Sequence, residues 1–315
     1  MIKKILKKIL QIYKSSNEKK KDKILKKILG KNKIIVLDIG AAGGLEGLQE
    51  VWKPHIKNLH LIMSEPHENS RKEIKNKEYQ IINEGFGSNI SSDSIFFETR
   101  KSECSSTKEL NIDYLKRFPN PERFELLKKN TIKLTTLDTV FSEENFPHFI
   151  KIDTEGGELD ILKGGPKTLS NIFGIVVESY FSEIHKNQSM FEEIKNLLEE
   201  KKFEFIDFLR LVRWERHNLT RDYGQIQVAD SLFLLAPEEV LKRFKQDLID
   251  INSLKIYVAI LFILNRPDYI NVIMRNIDAK TNSEIFIKEC YYYAEKCVKR
   301  MSNIKKFTKT LERYF

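Results

Sequence analysis

The chain has 315 residues, 41% hydrophobic and 31% charged, enough for one large α/β domain with additions or for two small domains. Its formal charge of +9 suggests a nucleic-acid footprint only until it is divided: thirteen lysines against Glu18 and Asp22 give residues 1–33 a charge of +11 and leave the rest at about −2. Three cysteines without a CxxC spacing exclude a disulfide framework and a zinc site, and the best apolar run, Ile256 to Leu264, falls far short of the roughly 20 residues a membrane span needs.

Residues 1–29 carry a near-repeat, KKILKKIL at 3–10 and KDKILKKIL at 21–29. In the first copy Ile2, Ile5, Leu6, Ile9, Leu10 and Tyr13 fall on one helical face with lysines opposite, which predicts a basic amphipathic helical arm over 1–32. Such an arm suits peripheral membrane contact through residues 1–29 or a helix laid over the protein's own core. The aromatic interleaving used for base stacking is missing, so no specific nucleic-acid partner is expected. The segment lacks a continuous apolar stretch and a cleavage site. With thiols expected to be reduced, the expectation is a cytoplasmic protein, peripheral at the inner face of the membrane where the arm binds lipid.

Residues 33–237 read as one α/β domain. Ile34 to Leu37 are apolar and mostly β-branched, the pattern of a strand buried on both faces. Asp38 closes that strand, and Gly40, Ala41, Gly43 and Gly44 make a tight turn that lets a ligand approach the main chain. A helix start follows, with unpaired N–H groups. The dinucleotide fingerprint wants G-x-G-x-x-G over a pyrophosphate. Here the spacing is D-x-G-A-A-G-G, with an acid two residues before the first glycine. That carboxylate suits the cationic end of S-adenosylmethionine. A second acid is then expected at the next strand tip, to accept from the ribose hydroxyls. Leu59 to Met63 followed by Ser64-Glu65-Pro66 supplies it.

Leu45 to His55 reads as the first helix, and Tyr79 to Ile82 as the third strand. Asn83 to Phe86, including Glu84, is a candidate adenine edge. Residues 94–99 read as an added strand, 113–130 as helical and 131–137 as another strand, an insertion placed to wall an acceptor pocket. Phe149 to Ile152 is a strand with Asp153 at its end. Thr154 to Gly157 turns, and Glu158 to Lys163 opens a helix. Asp153 and Glu155 therefore fall in the crevice beyond the strand tips, where they suit deprotonating a hydroxyl or holding a cation. Glu158 suits a capping role. Phe173 to Val177 is the fifth strand, ending at Glu178, and His185 beyond it is a further candidate base. A helix over 191–202 and a strand over 203–208 follow. Arg210 to Gln227 reads as a loop whose Arg213, Trp214, Arg216, His217 and Tyr223 suit a sugar or a phosphate-bearing acceptor. Asp230 to Leu235 is the last strand. Residues 238–315 read as a helical extension without a catalytic motif, usable as a cap, an additional domain or an oligomer surface.

VLDIGAAGG, the strand-end SEP, the TTLD corner and IKIDTEGGELDILKGG together resemble the FkbM-type family of S-adenosylmethionine-dependent methyltransferases. The resemblance covers roughly residues 33 to 236, and its most specific part is Ile150 through Gly164. It implies a class I methyltransferase (Rossmann-like) seven-stranded sheet with helices on both faces. It also implies methyl transfer to a hydroxyl, commonly of a sugar or polyketide, often in surface glycan pathways. The acceptor would be a sugar, a glycan or a lipid-linked glycan. Carried over, Asp38, Gly40 and Glu65 match cofactor-holding positions, and Asp153 and Glu155 match the acidic signature near the acceptor. Ala42 stands where the family more often has Asn, and segments 1–32 and 238–315 lie outside the resemblance.

The expected chemistry is in-line displacement at an activated methyl, for which the protein supplies position and removes a proton. Asp153 is the first-choice base, with Glu155 and His185 behind it. The cofactor set is Asp38, Gly40, Ala41, Gly43, Gly44, Glu65, Pro66 and Glu84. No metal site is predicted, although Asp153 and Glu178 end neighbouring strands and could share a divalent ion. The alternatives are methyl transfer to another small molecule, a protein or a nucleic acid, or a non-catalytic binding module on the same fold. The missing N-P-P-Y-like tetrad after the fourth strand counts against base and amide methylation.

Overall fold

The computed structural model describes residues 20–44, 50–72, 74, 79–141, 146–216 and 223–299. The chain divides into two compact units. One comprises residues 35–49 and 60–236, and the other residues 1–34, 50–59 and 237–315. The amino-terminal arm and the carboxy-terminal extension, read from the sequence as separate segments, thus belong to one unit, which also takes in the short stretch 50–59.

The first unit is built on strands whose apolar runs were legible in the sequence. In chain order these are β1 (Ile34–Ile39), β2 (Leu59–Ser64), β3 (Gln80–Ile82), β4 (Gly85–Phe86), β5 (Ser91–Thr99), β6 (Leu126–Thr135), β7 (Phe149–Ile152), β8 (Gly174–Tyr180), β9 (Phe203–Trp214) and β10 (Gln225–Leu235). Seven of them form one mixed sheet in the order β3-β2-β1-β7-β8-β10-β9. The β2/β3, β1/β7 and β7/β8 pairs are parallel, and β10 runs antiparallel to both β8 and β9. The seven-stranded α/β expectation therefore holds. β7 and β8 are buried at every position, which is why they read as unbroken apolar runs rather than alternating ones.

The insertion between β3 and β7 differs from its sequence reading. A second sheet, β4-β6-β5, stands there. The helix expected over 113–130 is only Ile112–Leu115, followed by a single 3₁₀ turn at Pro121–Phe124. Pro119 and Pro121 break the helix, and Asn120 between them is left-handed at φ 57°. Leu126–Thr135 then pairs antiparallel with β5, so tertiary pairing overrides the helical propensity of its leucines and lysines. The loop expected from Arg210 is also shorter. β9 runs on to Trp214, which pairs with Gln225, and His217 lies outside the described residues.

The second unit is helical. Residues 20–29 are helical, and Leu25, Ile28 and Leu29 are buried. Lys21 Nζ donates to the Ile263 carbonyl at 3.1 Å, Lys27 pairs with Glu289 at 3.1 Å, and Asp22 meets the buried His55 ring at 2.7 Å. The apolar face of this copy of the repeat is therefore spent on packing and is not free for a lipid surface. The first copy, at 3–10, lies outside the described residues, as do residues 45–49 of the helix read over Leu45 to His55; its described remainder is a turn followed by a 3₁₀ helix at Lys53–Asn58 instead of an α-helix. Helices Pro237–Lys245, Ile251–Ile263, Pro267–Asn276 and Ala279–Glu284 follow. Ile256 to Ile263 is buried at every residue, as a helix apolar all round must be. No helix among the described residues is long and apolar enough to cross a membrane.

Candidate active site

Strand order reverses between β1 and β7, because the chain runs from β1 to β2 and β3 on one side and then crosses to β7 on the other. Ligands in open α/β sheets bind beyond the strand tips at such a point. Here the tips are tied together by main-chain bonds. Gly40 and Ala41 N–H both donate to the Ser64 carbonyl at 3.1 Å, and Asp153 N–H donates to the Ile39 carbonyl at 3.0 Å. Gly40 has φ +80°, and a Cβ there would stand 1.7 Å from the Asp153 carbonyl oxygen. Glycine is required by both the dihedral and the closeness of β7.

A cavity of about 490 Å³ opens at these tips, lined by Gly40, Ser64, Glu65, Asp153, Glu155 and Glu178 among others. Glu65 is buried, and one oxygen accepts from the His67 N–H at 2.8 Å. Its other oxygen takes no hydrogen bond among the described residues. Burial raises the carboxyl above its usual range, opposed by the His67 N–H and Arg71. Arg71 donates to the Glu65 and Pro66 carbonyls at 2.8 and 2.7 Å, which fixes the loop that presents the acid. A carboxylate with an unused acceptor at the β2 tip fits a pair of ribose hydroxyls.

The other sequence-predicted cofactor residues divide. Pro66 lines the cavity, and so do Gly85 and Phe86 from the expected adenine edge. Ala41, Gly43, Gly44 and Glu84 do not. Gly43 and Gly44 hold the positive φ values that the turn needs, and the Glu84 carbonyl accepts from Ser64 Oγ at 2.8 Å. Asp38 also does not line the cavity. It is fully buried, and Oδ1 accepts from Lys151 Nζ at 3.1 Å while Oδ2 has no partner among the described residues. The reason is register. Lys151 stands opposite Asp38 in the β1/β7 pair and reaches both Asp38 and, at 3.2 Å, Asp153. Burial raises the Asp38 carboxyl although Lys151 pulls the other way. Burial works against the Lys151 charge too, but Asp153 and Asp38 outweigh it and the ammonium is held.

Asp153, Glu155 and Glu178 come together, each with a carboxylate oxygen within 4.8 Å of the others. Oxygens so spaced can share a proton or a divalent cation. Glu155 sits at the crest of the turn with a left-handed φ of 57°, a strained conformation for a side-chain-bearing residue. Ser106 Oγ holds its carbonyl at 2.6 Å. The Tyr180 hydroxyl donates to Glu178 at 2.5 Å and lies 3.3 Å from Glu155. Burial, then the charges of Asp153 and Glu158, push Glu155 up to about 8, and burial with the neighbouring acids raises Glu178 as well. Glu158 is the structural acid of the turn. It accepts from Thr154 N–H and Oγ1, both at 2.9 Å, and from Gly156 N–H at 3.2 Å, and burial carries it up to about 7.

These raised carboxyls have a consequence for stability. The native state binds more protons than the unfolded chain wherever its acids titrate higher, so ΔG of unfolding falls as pH rises. Stability from Glu155 and Glu158 is full below their unfolded values near 4.5 and is lost through about 7 to 8. The chain is expected to melt at a lower temperature at pH 8 than at pH 5.5, and Glu155→Gln to flatten that dependence. Melting curves across the range check it, and an unaltered slope in the variant removes Glu155 as its source.

His185, expected as a candidate base, is corrected. It is fully buried, its ring pKa is lowered to about 4 mainly by burial, and it does not line the cavity. Its Nδ1 pairs with Gln188 at 3.2 Å, and it packs beneath the turn, 3.4 Å from where a Gly156 Cβ would stand. The insertion walls the cavity as expected, and Trp214, named for the acceptor, lines it too, but the other side chains of the far wall were not singled out from the sequence. Lys101, Cys104, Arg123 and Phe124 come from the misread insertion, and Arg210 from the extended β9; Trp214 had been placed in a loop. Only pairing across β9 and β10 and the folding-over of the insertion bring them together, and neither leaves a local signal.

The profile of a family described as Methyltransferase FkbM domain matches residues 38–205. Among curated proteins no relative matches. Methyltransferase FkbM from Methylobacillus flagellatus KT is similar at 16% identity with a TM-score of 0.38; the match covers 64% of this chain and 43% of that one. This chain thus spans less than half the length of that protein. A 1,6-didemethyltoxoflavin-N1-methyltransferase of Burkholderia thailandensis, solved with S-adenosylhomocysteine, is similar at 10% identity and a TM-score of 0.30, over 69% of this chain and 78% of that one. TrmK of M. capricolum, also with S-adenosylhomocysteine, is similar at 9% identity and a TM-score of 0.28, over 87% and 96%.

Proposed function

The chain belongs to the FkbM methyltransferase domain family, and on that premise we propose that it transfers a methyl group to a hydroxyl of a sugar or glycan acceptor in surface polysaccharide synthesis. Its cofactor is S-adenosylmethionine, which when bound supplies a methyl carbon already activated for in-line displacement. The residues present fit that group. Glu65 offers an unused acceptor for the ribose hydroxyls, and Gly85 and Phe86 border the same cavity. Gly40 lets the β1 and β7 tips that carry the site lie close together. Asp38 acts through Lys151, holding the ammonium that braces Asp153.

One observation carries the reading: three carboxylates converge in the cavity that also holds Glu65. An alcohol is a poor nucleophile while protonated, and a base with a pKa near working pH removes that proton best. Glu155, pushed up to about 8, meets the requirement, while the Asp153 carboxylate is committed to Lys151. Tyr180 and Glu178 stand behind Glu155 to hold and relay the proton. The face of Trp214 on the far wall suits a sugar ring. The three free thiols support action in the cytoplasm.

The test uses the full chain with labelled S-adenosylmethionine and a glycan extract. Glu155→Gln is expected to keep cofactor affinity and to lose about 10²-fold or more in methyl transfer, the scale of general-base catalysis. The wild-type rate should climb with pH to about 8 as Glu155 sheds its proton, and the variant should lose that limb. Undiminished transfer by Glu155→Gln removes it as the base. Label recovered on protein, nucleic acid or nitrogen overturns the hydroxyl assignment.

A further inference from the structure

Arg123 has no evident structural use for its charge. It lies in the 3₁₀ turn of the insertion and lines the same cavity as Glu155 and Glu178. Its guanidinium carbon stands 4.6 Å from the centroid of the Phe124 ring and 4.9 Å from that of Trp214. Trp214 is itself held edge-on by Phe118, at 5.3 Å between centroids. Aromatic rings brace a guanidinium through its flat faces and leave the N–H edge to bind something else. Among the described residues no carboxylate pairs with it, and its Nε is buried without a hydrogen-bond partner. The nearby Glu125 is taken by Arg100, whose Nε donates to it at 2.9 Å. A buried donor left unsatisfied costs free energy that a ligand can return.

The surroundings add to the case. Lys101 and Arg210 line the same cavity, and the Lys101 N–H donates to the Arg123 carbonyl at 3.0 Å. Cys104, also in the lining, feels charges of both signs. Burial and then Glu155 push its thiol up, while Lys101 and Arg123 pull it down. The cavity thus carries cations and aromatic faces as well as its carboxylates.

We propose that the acceptor carries an anionic oxygen group, a carboxylate or a phosphate, which Arg123 receives on its unpartnered N–H edge while the hydroxyl to be methylated faces Glu155. This rests on the hydroxyl-methyltransferase reading above and narrows its substrate to acidic sugars. Both anions match the guanidinium fork. Glu155 and Glu178 repel the same group, so a pose that sets the anion against them is disfavoured and the charge on the acceptor also orients it.

Calorimetric titration of the full chain loaded with S-adenosylhomocysteine, using D-glucose, D-glucuronate and D-glucose 1-phosphate, tests this. At least one anionic sugar is expected to bind about 30-fold or more tighter than glucose, the scale of a charge-assisted bidentate contact, and the ranking of the two separates carboxylate from phosphate. Arg123→Ala should abolish that preference. Arg123→Lys, which keeps charge and stem but loses the fork, should lose about tenfold, and retained S-adenosylhomocysteine binding shows that each variant is folded. Equal binding of glucose, an anion preference untouched by both variants, or no saturable binding of either anionic sugar overturns the inference. Failure of the wild-type chain to bind S-adenosylhomocysteine would instead sink the methyltransferase reading beneath it.

Discussion

Gly40→Ala is expected to be the most damaging single methyl group in the sheet unit. The residue holds φ +80°, and the new Cβ would fall 1.7 Å from the Asp153 carbonyl oxygen. Left-handed strain alone costs on the order of 1–3 kcal/mol. The clash is with main chain, so no rotamer relieves it, and the β1 and β7 tips must separate. A loss of at least about 3 kcal/mol in urea denaturation is expected, a size reserved for a named steric or electrostatic fault. S-adenosylhomocysteine affinity should fall with it, because the displaced tip carries the site. Gly43→Ala is the control. It has a similar φ of +78° but meets nothing within 4 Å among the described residues, so it should pay the strain and not the clash. If the two variants cost the same, closeness to β7 is not what demands glycine at position 40.

Lys151→Met is expected to follow closely. The ammonium is buried and shared between Asp38 at 3.1 Å and Asp153 at 3.2 Å. Met preserves much of the volume but strands Asp38, whose second oxygen already lacks a partner among the described residues. Breaking a buried pair by removing one member costs on the order of 3–5 kcal/mol, because the remaining charge is left uncompensated. The pH dependence identifies the cause. The Asp38 carboxyl is already raised by burial, and without Lys151 it rises further, so at acidic pH it takes a proton and the penalty shrinks. Denaturation at pH 8 and pH 5 should show a larger deficit at pH 8. A deficit independent of pH would point to packing rather than to a stranded carboxylate.

The strand tips were legible because a buried parallel strand writes itself as an apolar run, and the polar residue that ends it is conspicuous. Glu65, Asp153, Glu155 and Glu178 could all be placed at one crevice on that basis, and all four line it. Asp38 read the same way and behaves otherwise, because its surroundings are decided by the neighbouring strand. The lysine of FIKI was visible, but that it stands level with Asp38 depends on register. The helix expected over 113–130 failed for a different reason. ELLKKN has helical propensity, and only its partner β5 makes it a strand. His185 looked available because it follows a strand tip, yet a loop residue can turn inward as easily as outward. Arg123 left no trace in the sequence at all, since its partners Phe124 and Trp214 are 91 residues apart in the case of Trp214 and meet only through the fold.

The helical unit is assembled from three separated lengths of chain, and this constrains any attempt at dissection. Cutting at residues 34 and 237 would not release the sheet unit cleanly, because 50–59 would travel with it. The buried Trp52 and His55 would then leave behind the helices that belong to their own unit, Asp22 among their residues. Excision would expose an apolar seam on the fragment meant to be self-sufficient. Whatever the helices do, the sheet carries a piece of them inside its own covalent span, so the two cannot be inherited, exchanged or lost independently by simple recombination at the ends.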